Sequence, residues 1–208
     1  MDYEEQIQAS GIVPVVVLEQ PDTAVPTAQA LLAGGVDVME ITFRTSAAET
    51  AIQNVVKECP QMIVGAGTIL TLRQCESALA WGAKFIVSPG FDKSIVAFCI
   101  KNHITVFPGC ATPSEIMQAM DMGLTIVKFF PATIYGGIKG IKALAAPFSK
   151  IKFIPTGGIG PENLEEYKMP FVFAVGGSWM CSKQDIKMGA YGKITRLCVE
   201  ARKILGRE

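Results

Sequence analysis

Eight short apolar runs recur along the chain, at 12–17, 36–42, 62–66, 85–88, 105–108, 126–130, 152–155 and 172–175. They are rich in Val, Ile and Phe and do not alternate cleanly with polar residues. That pattern reads as strands buried on both faces, as parallel strands are. Between and after them the apolar spacing turns helical, at about 22–33, 46–58, 71–81, 92–102, 113–122, 137–145, 161–168 and 185–205. Start and stop chemistry supports these segments. Thr71-Leu72-Arg73-Gln74 and Thr112-Pro113-Ser114-Glu115 fit the capping box, the second with Pro at the first helical position. Gly34, Gly82 and Gly123 follow helices and suit left-handed ends. A further helix is predicted over 3–10, placed to plug one end of a barrel. Eight strand–helix units predict a single (β/α)₈ TIM barrel spanning 1–208 as one domain. An open doubly wound sheet usually opens its first turn with G-x-G-x-x-G. Here the first strand ends in Val17-Leu18-Glu19 instead.

Composition narrows the function classes. The 208 residues carry 19 basic and 19 acidic side chains, so no global field recruits nucleic acid or an anionic membrane. Any anion must be bound locally. No apolar stretch reaches the roughly 20 residues that span a bilayer. The first residues, Met1-Asp2-Tyr3-Glu4-Glu5, lack the basic start of a signal peptide, and the cytoplasm is the expected location. The six cysteines form no C-x-x-C pair and read as free thiols. A Cys–His nucleophile would have to use His103, the only histidine. There is no H-E-x-x-H and no Cys/His cluster, so neither metal nor cofactor is expected.

The candidate chemistry sits where the strands end, which in such barrels is the active-site face. Lys128 stands inside Thr125-Ile126-Val127-Lys128-Phe129-Phe130-Pro131. A buried charge without a partner is costly, burial favours a neutral amine, and a neutral amine attacks carbonyls to form a Schiff base. The plainer reading is a lysine that snorkels out or pairs with a buried carboxylate. Glu40, inside Val38-Met39-Glu40-Ile41-Thr42, reads either as that ion-pair partner or as a proton shuttle. Arg44 reads as a carboxylate fork or as a solvated loop arginine. Gly157-Gly158 and Gly176-Gly177, the latter followed by Ser178, close strands seven and eight. They read as tight turns or as a backbone phosphate site. Strand two and strands seven and eight are expected at different sectors of the rim.

Together, Glu40-Ile41-Thr42-Phe43-Arg44-Thr45, Val64-Gly65-Ala66-Gly67-Thr68, Ser88-Pro89-Gly90, Val127-Lys128-Phe129-Phe130-Pro131-Ala132, Pro155-Thr156-Gly157-Gly158-Ile159 and Gly176-Gly177-Ser178-Trp179 resemble the 2-keto-3-deoxy-6-phosphogluconate (KDPG) aldolases. That family also cleaves 4-hydroxy-2-oxoglutarate (KHG). The resemblance runs in order over nearly the whole chain. It implies a cofactor-free and metal-free class I aldolase on a (β/α)₈ barrel, assembled as a homotrimer. Its partners would be small molecules, a phosphorylated 2-keto-3-deoxy sugar acid and pyruvate. By the resemblance, Lys128 is the Schiff-base lysine and Glu40 the general acid/base. Arg44 and Thr68 hold the substrate carboxylate, and Pro89 and Phe130 line the pyruvyl carbons. Thr156, Gly157, Gly158, Gly177 and Ser178 hold the far end and the phosphate. A sister group acts on the galactonate epimer and tends to lack both the arginine and the threonine found here as Arg44 and Thr156. Two rivals need no imine: a phosphate-binding barrel enzyme of another kind, and a non-catalytic phosphosugar sensor on the same fold.

Overall fold

The computed structural model describes residues 3–207. After α1 (Tyr3–Ser10), strand and helix alternate: β1 (Ile12–Val16), α2 (Ala24–Ala33), β2 (Val38–Thr42), α3 (Ala48–Glu58), β3 (Ile63–Gly67), α4 (Leu72–Ala80), β4 (Phe85–Val87) and α5 (Lys93–Lys101). The second half continues with β5 (Thr105–Phe107), α6 (Pro113–Asp121), β6 (Ile126–Phe129), α7 (Gly137–Ala145), β7 (Lys152–Pro155), β8 (Val175–Gly177), α8 (Lys183–Lys187) and α9 (Tyr191–Ile204). Every strand pairing is parallel, which gives a curled α/β sheet. One sheet runs β5-β4-β3-β2-β1-β8, and β6 pairs with β7.

The capping chemistry lands largely where the residues predict. Thr112 and Glu115 form both halves of a capping box. At α4 only half forms: the Thr71 hydroxyl accepts from Gln74 N, while Gln74 Oε1 accepts from Leu70 N. Gly82 and Gly123 take positive φ, but at the end of α2 Gly35 does so in place of Gly34.

Three elements differ from the pattern-based reading. The apolar run 172–175 is shared between two neighbours. Phe153 pairs with it through Phe171 O and Phe173 N, and the chain then crosses to β1, where Val175 N donates to Gly11 O. The segment 161–168 forms only a short 3₁₀ turn, Leu164–Tyr167, since it is confined between Gly160-Pro161 and Met169-Pro170. The long C-terminal helix breaks into α8 and α9 around Gly189, whose φ is +66°.

Two apolar layers flank the sheet. Val13, Val38, Ile63, Phe85, Phe107, Ile126 and Ile154 form the inner one, and Ile7 of α1 joins it as a plug at the strands' N-terminal end. Val16, Met39, Ile41, Val64, Val127 and Phe153 face the helices. The strand period of two carries this alternation forward. Glu40 therefore shares a face with Val38, and Lys128 with Ile126, one layer further toward the strands' C-terminal ends. The glycines of β3 explain how that layer fits. A Cβ at Gly65 would overlap the Phe85 ring, and one at Gly67 would overlap the Glu40 carboxylate. Neither glycine sits at positive φ, so the demand is for space.

Candidate active site

Lys128 and Glu40 meet inside the sheet. Lys128 Nζ donates to Glu40 Oε1 at 3.3 Å, with the side chains only 7% and 3% exposed. The strands hold both backbones in place: Glu40 pairs with Val15 and Gly65, and Lys128 with Ile154 and Gly109. The contact brings together the two groups that both readings, the ion pair and the proton shuttle, require.

Phe130 connects this pair to the remaining polar chemistry. Lys128 Nζ stands 5.5 Å from the centroid of the Phe130 ring. Phe130 also walls a cavity of about 230 Å³ with Arg44, Thr156, Gly157, Gly158, Gly177 and Ser178. Arg44 Nε donates to Thr68 Oγ1 at 3.3 Å. Thr68 takes φ +58°, a costly conformation for a β-branched residue, and it places that hydroxyl beside the guanidinium. Thr156 is buried and spends its hydroxyl on Ile154 O at 3.3 Å. Lys128, Glu40, Thr68 and Pro89 do not themselves line the cavity, which reaches the pair through Phe130. Pro89 lies at the end of β4 with its carbonyl against Gly109, where a Cβ would overlap it.

Arg44 and the glycine turns share one cavity instead of occupying separate sectors. Sequence order separates them, but only β1 lies between β2 and β8 in the sheet. The glycines have specific causes. Gly157 and Gly158 take φ +100° and +74°, values that L side chains rarely adopt. A Cβ would overlap the Thr133 hydroxyl at Gly158, the Thr156 hydroxyl at Gly176 and the Trp179 ring at Gly177.

The thiols are poorly placed for nucleophilic work. All six are free and buried. Burial pushes Cys110 and Cys198 up to about 12 and raises Cys181 further. Cys75 alone is lowered, by its hydrogen bond with Cys99 at a Sγ–Sγ distance of 3.7 Å. His103 is exposed, in a loop after α5. Among the described residues no group of three or more His, Cys, Asp or Glu is placed to hold a metal, and no helix is long and apolar enough to cross a membrane. Sequence reasoning missed Gly67, which makes room for the Glu40 carboxylate. It also missed Thr133 and Asn163, which hold the Gly157-Gly158 turn. Only the G-A-G spacing of β3, read as clearance for a neighbouring strand, carried any signal of the first.

A parallel α/β fold that gathers a buried lysine, a carboxyl group and glycine turns at the strands' C-terminal ends has the architecture of an enzyme. Known proteins narrow the class. A family model described as the KDPG and KHG aldolases matches residues 3–197. The 2-dehydro-3-deoxy-phosphogluconate aldolase of Treponema pallidum is 44% identical over 203 residues, 97% of each chain. The KHG/KDPG aldolase of Escherichia coli K12 is 44% identical over 199 residues, 95% of this chain and 93% of that one. A crystal structure of the KDPG aldolase from Legionella pneumophila, with pyruvate captured at low pH as a covalent carbinolamine intermediate, superposes with a TM-score of 0.92. It has 40% identity, covering 96% of this chain and 97% of that one. The chain belongs to the KDPG and KHG aldolase family.

Proposed function

We propose that the protein is a class I aldolase. It cleaves KDPG to pyruvate and glyceraldehyde 3-phosphate, and KHG to pyruvate and glyoxylate. The carrying observation is the buried Lys128–Glu40 contact at 3.3 Å, in a chain whose relatives bear both activities in their names. Lys128 attacks the C2 ketone, and loss of water gives a protonated imine that draws electrons from C3. Glu40 takes the C4 hydroxyl proton through a water. The C3–C4 bond breaks, its electron pair forms the enamine, and the aldehyde leaves. Protonation at C3 and hydrolysis release pyruvate and free Lys128. Pro89 and Phe130 supply apolar contact for the pyruvyl carbons. Arg44, with Thr68 against it, holds the carboxylate. Arg44 and Thr156 support the gluconate over the galactonate epimer.

The finer architecture belongs to the same proposal. The two sheets close into a single (β/α)₈ barrel, one domain over the chain. The parallel bridges Gly109–Lys128 and Thr156–Gly176 support this, joining β6 to the end of β5 and the end of β7 to β8. A homotrimer is the assembly the resemblance implies, and sedimentation equilibrium tests it.

The two ends of the substrate are read by different groups, and two variants separate them. Arg44→Ala should lower kcat/KM for both KDPG and KHG, since both carry the carboxylate beside the ketone. Gly158→Ala places a Cβ against Thr133 at positive φ and twists the turn. It should harm KDPG far more than unphosphorylated KHG, because each charge-assisted bond to phosphate is worth about 1.5–3 kcal/mol. Equal losses on the two substrates in Gly158→Ala would move the phosphate site elsewhere. A second expectation concerns metals. EDTA should leave turnover unchanged, because the imine supplies the electron sink. Activity lost on chelation and restored by a divalent cation would point to metal-dependent aldol chemistry.

A further inference from the structure

We infer that Thr133 and Asn163 are positioning residues that aim the backbone N–H groups of Gly158 and Ile159 at an anionic group in the cavity, and so set the preference for phosphorylated substrates. The inference rests on the reading of these glycines as the phosphate side of an aldolase site.

The argument starts from the peptide plane. In a trans peptide the carbonyl of one residue and the N–H of the next point in opposite directions. Whatever grips a carbonyl therefore aims the following N–H. Gly157 O is gripped twice from the loop after β6, by Thr133 N at 3.2 Å and Thr133 Oγ1 at 3.4 Å. Ala132 N likewise donates to Thr156 O at 2.8 Å, so β6–β7 pairing continues past both strands into the turn. Gly158 O is gripped on its other flank by Asn163 Nδ2 at 3.0 Å. Asn163 Oδ1 in turn accepts from Gly160 N at 3.0 Å, so one amide closes a ring across the turn.

The consequence is directional. Holding Gly157 O against Thr133 points Gly158 N–H away from Thr133, and holding Gly158 O against Asn163 points Ile159 N–H away from Asn163. Gly158 and Ile159 both line the cavity. Among the described residues neither N–H donates a hydrogen bond, whereas Gly160 N–H is taken by Asn163. Successive backbone N–H groups in a turn form a concavity that binds anions. Here φ is +100° at Gly157 and +74° at Gly158. Nothing polar on Thr133 or Asn163 has to touch the ligand for this to work. Their hydroxyl and amide are spent on the turn.

The test uses Thr133→Val, Thr133→Ser and Asn163→Ala in the full chain, with melting followed to separate misfolding from misalignment. Thr133→Val and Asn163→Ala should each lower kcat/KM for KDPG about tenfold, a fraction of the charge-assisted bonding at stake. The loss for KHG should be at least fivefold smaller, and Thr133→Ser should restore the wild-type ratio. A parallel ³¹P titration with inorganic phosphate should show weaker binding in Thr133→Val and Asn163→Ala, and it needs no turnover. Equal losses on both substrates, or an unchanged ratio with unchanged phosphate affinity, overturn the inference. If the wild-type protein turns over neither substrate while phosphate binding still depends on Thr133 and Asn163, the aldolase reading fails and the anion site stands.

Discussion

Borohydride reduction in the presence of pyruvate is expected to add one pyruvyl group to Lys128 and to no other lysine, as read by intact mass and peptide mapping. Lys128 is the buried lysine of the described chain, at 6% exposure, whereas the others are exposed apart from the half-buried Lys152. An exposed ammonium is strongly hydrated, whereas burial favours the neutral, nucleophilic amine. Lys128 stands within β6, with its Nζ 3.3 Å from Glu40 Oε1. Lys128→Met keeps much of the volume and removes the amine. It should abolish both adduct and turnover. It also strands Glu40 without its partner, and breaking a buried pair on one side costs about 3–5 kcal/mol. A lower melting temperature is therefore expected beside the lost activity. An adduct mapped to a different lysine, or active enzyme that never forms one, would falsify the assignment.

Glu40→Gln should leave that adduct possible and slow turnover by at least about 10²-fold, the scale of a lost general acid/base. The amide is close to the carboxyl in shape and still accepts from Lys128, so the variant isolates proton transfer from packing. The carboxyl group is confined: Gly67 leaves room for it and nothing more, since a Cβ there would overlap it. Stopped-flow comparison of imine formation with steady-state turnover provides the check. A variant that traps pyruvate normally and turns over KDPG near the wild-type rate would hand the proton transfer to another group.

The site was readable in the chain to an uneven degree. Lys128 and Glu40 stood out because charges inside apolar strands are rare and demand a reason. Gly157-Gly158 stood out as a strand end, but its φ values and its two anchors did not. Pro89 and Thr68 were legible as rim residues; their contacts, Pro89 against Gly109 and the Thr68 hydroxyl on Arg44, were not. The helix expected over 161–168 failed because its prolines and the Asn163 side chain favour a turn over helical bonding.

Local chemistry in the chain determined the strand–helix alternation, most caps and which residues would lie at the strands' C-terminal ends. Period, turn residues and caps act over a few neighbours, so they are written in order along the sequence. Tertiary structure alone decided what meets across strands. It set Lys128 on Glu40 across 88 residues of chain, drew Arg44 into the cavity of the glycine turns, and matched Gly65 and Gly67 to Phe85 and Glu40. It also decided that Thr133 and Asn163 hold the turn from two sides. These outcomes depend on the lateral order and register of the strands, and pairing between distant segments leaves no periodic mark on either one.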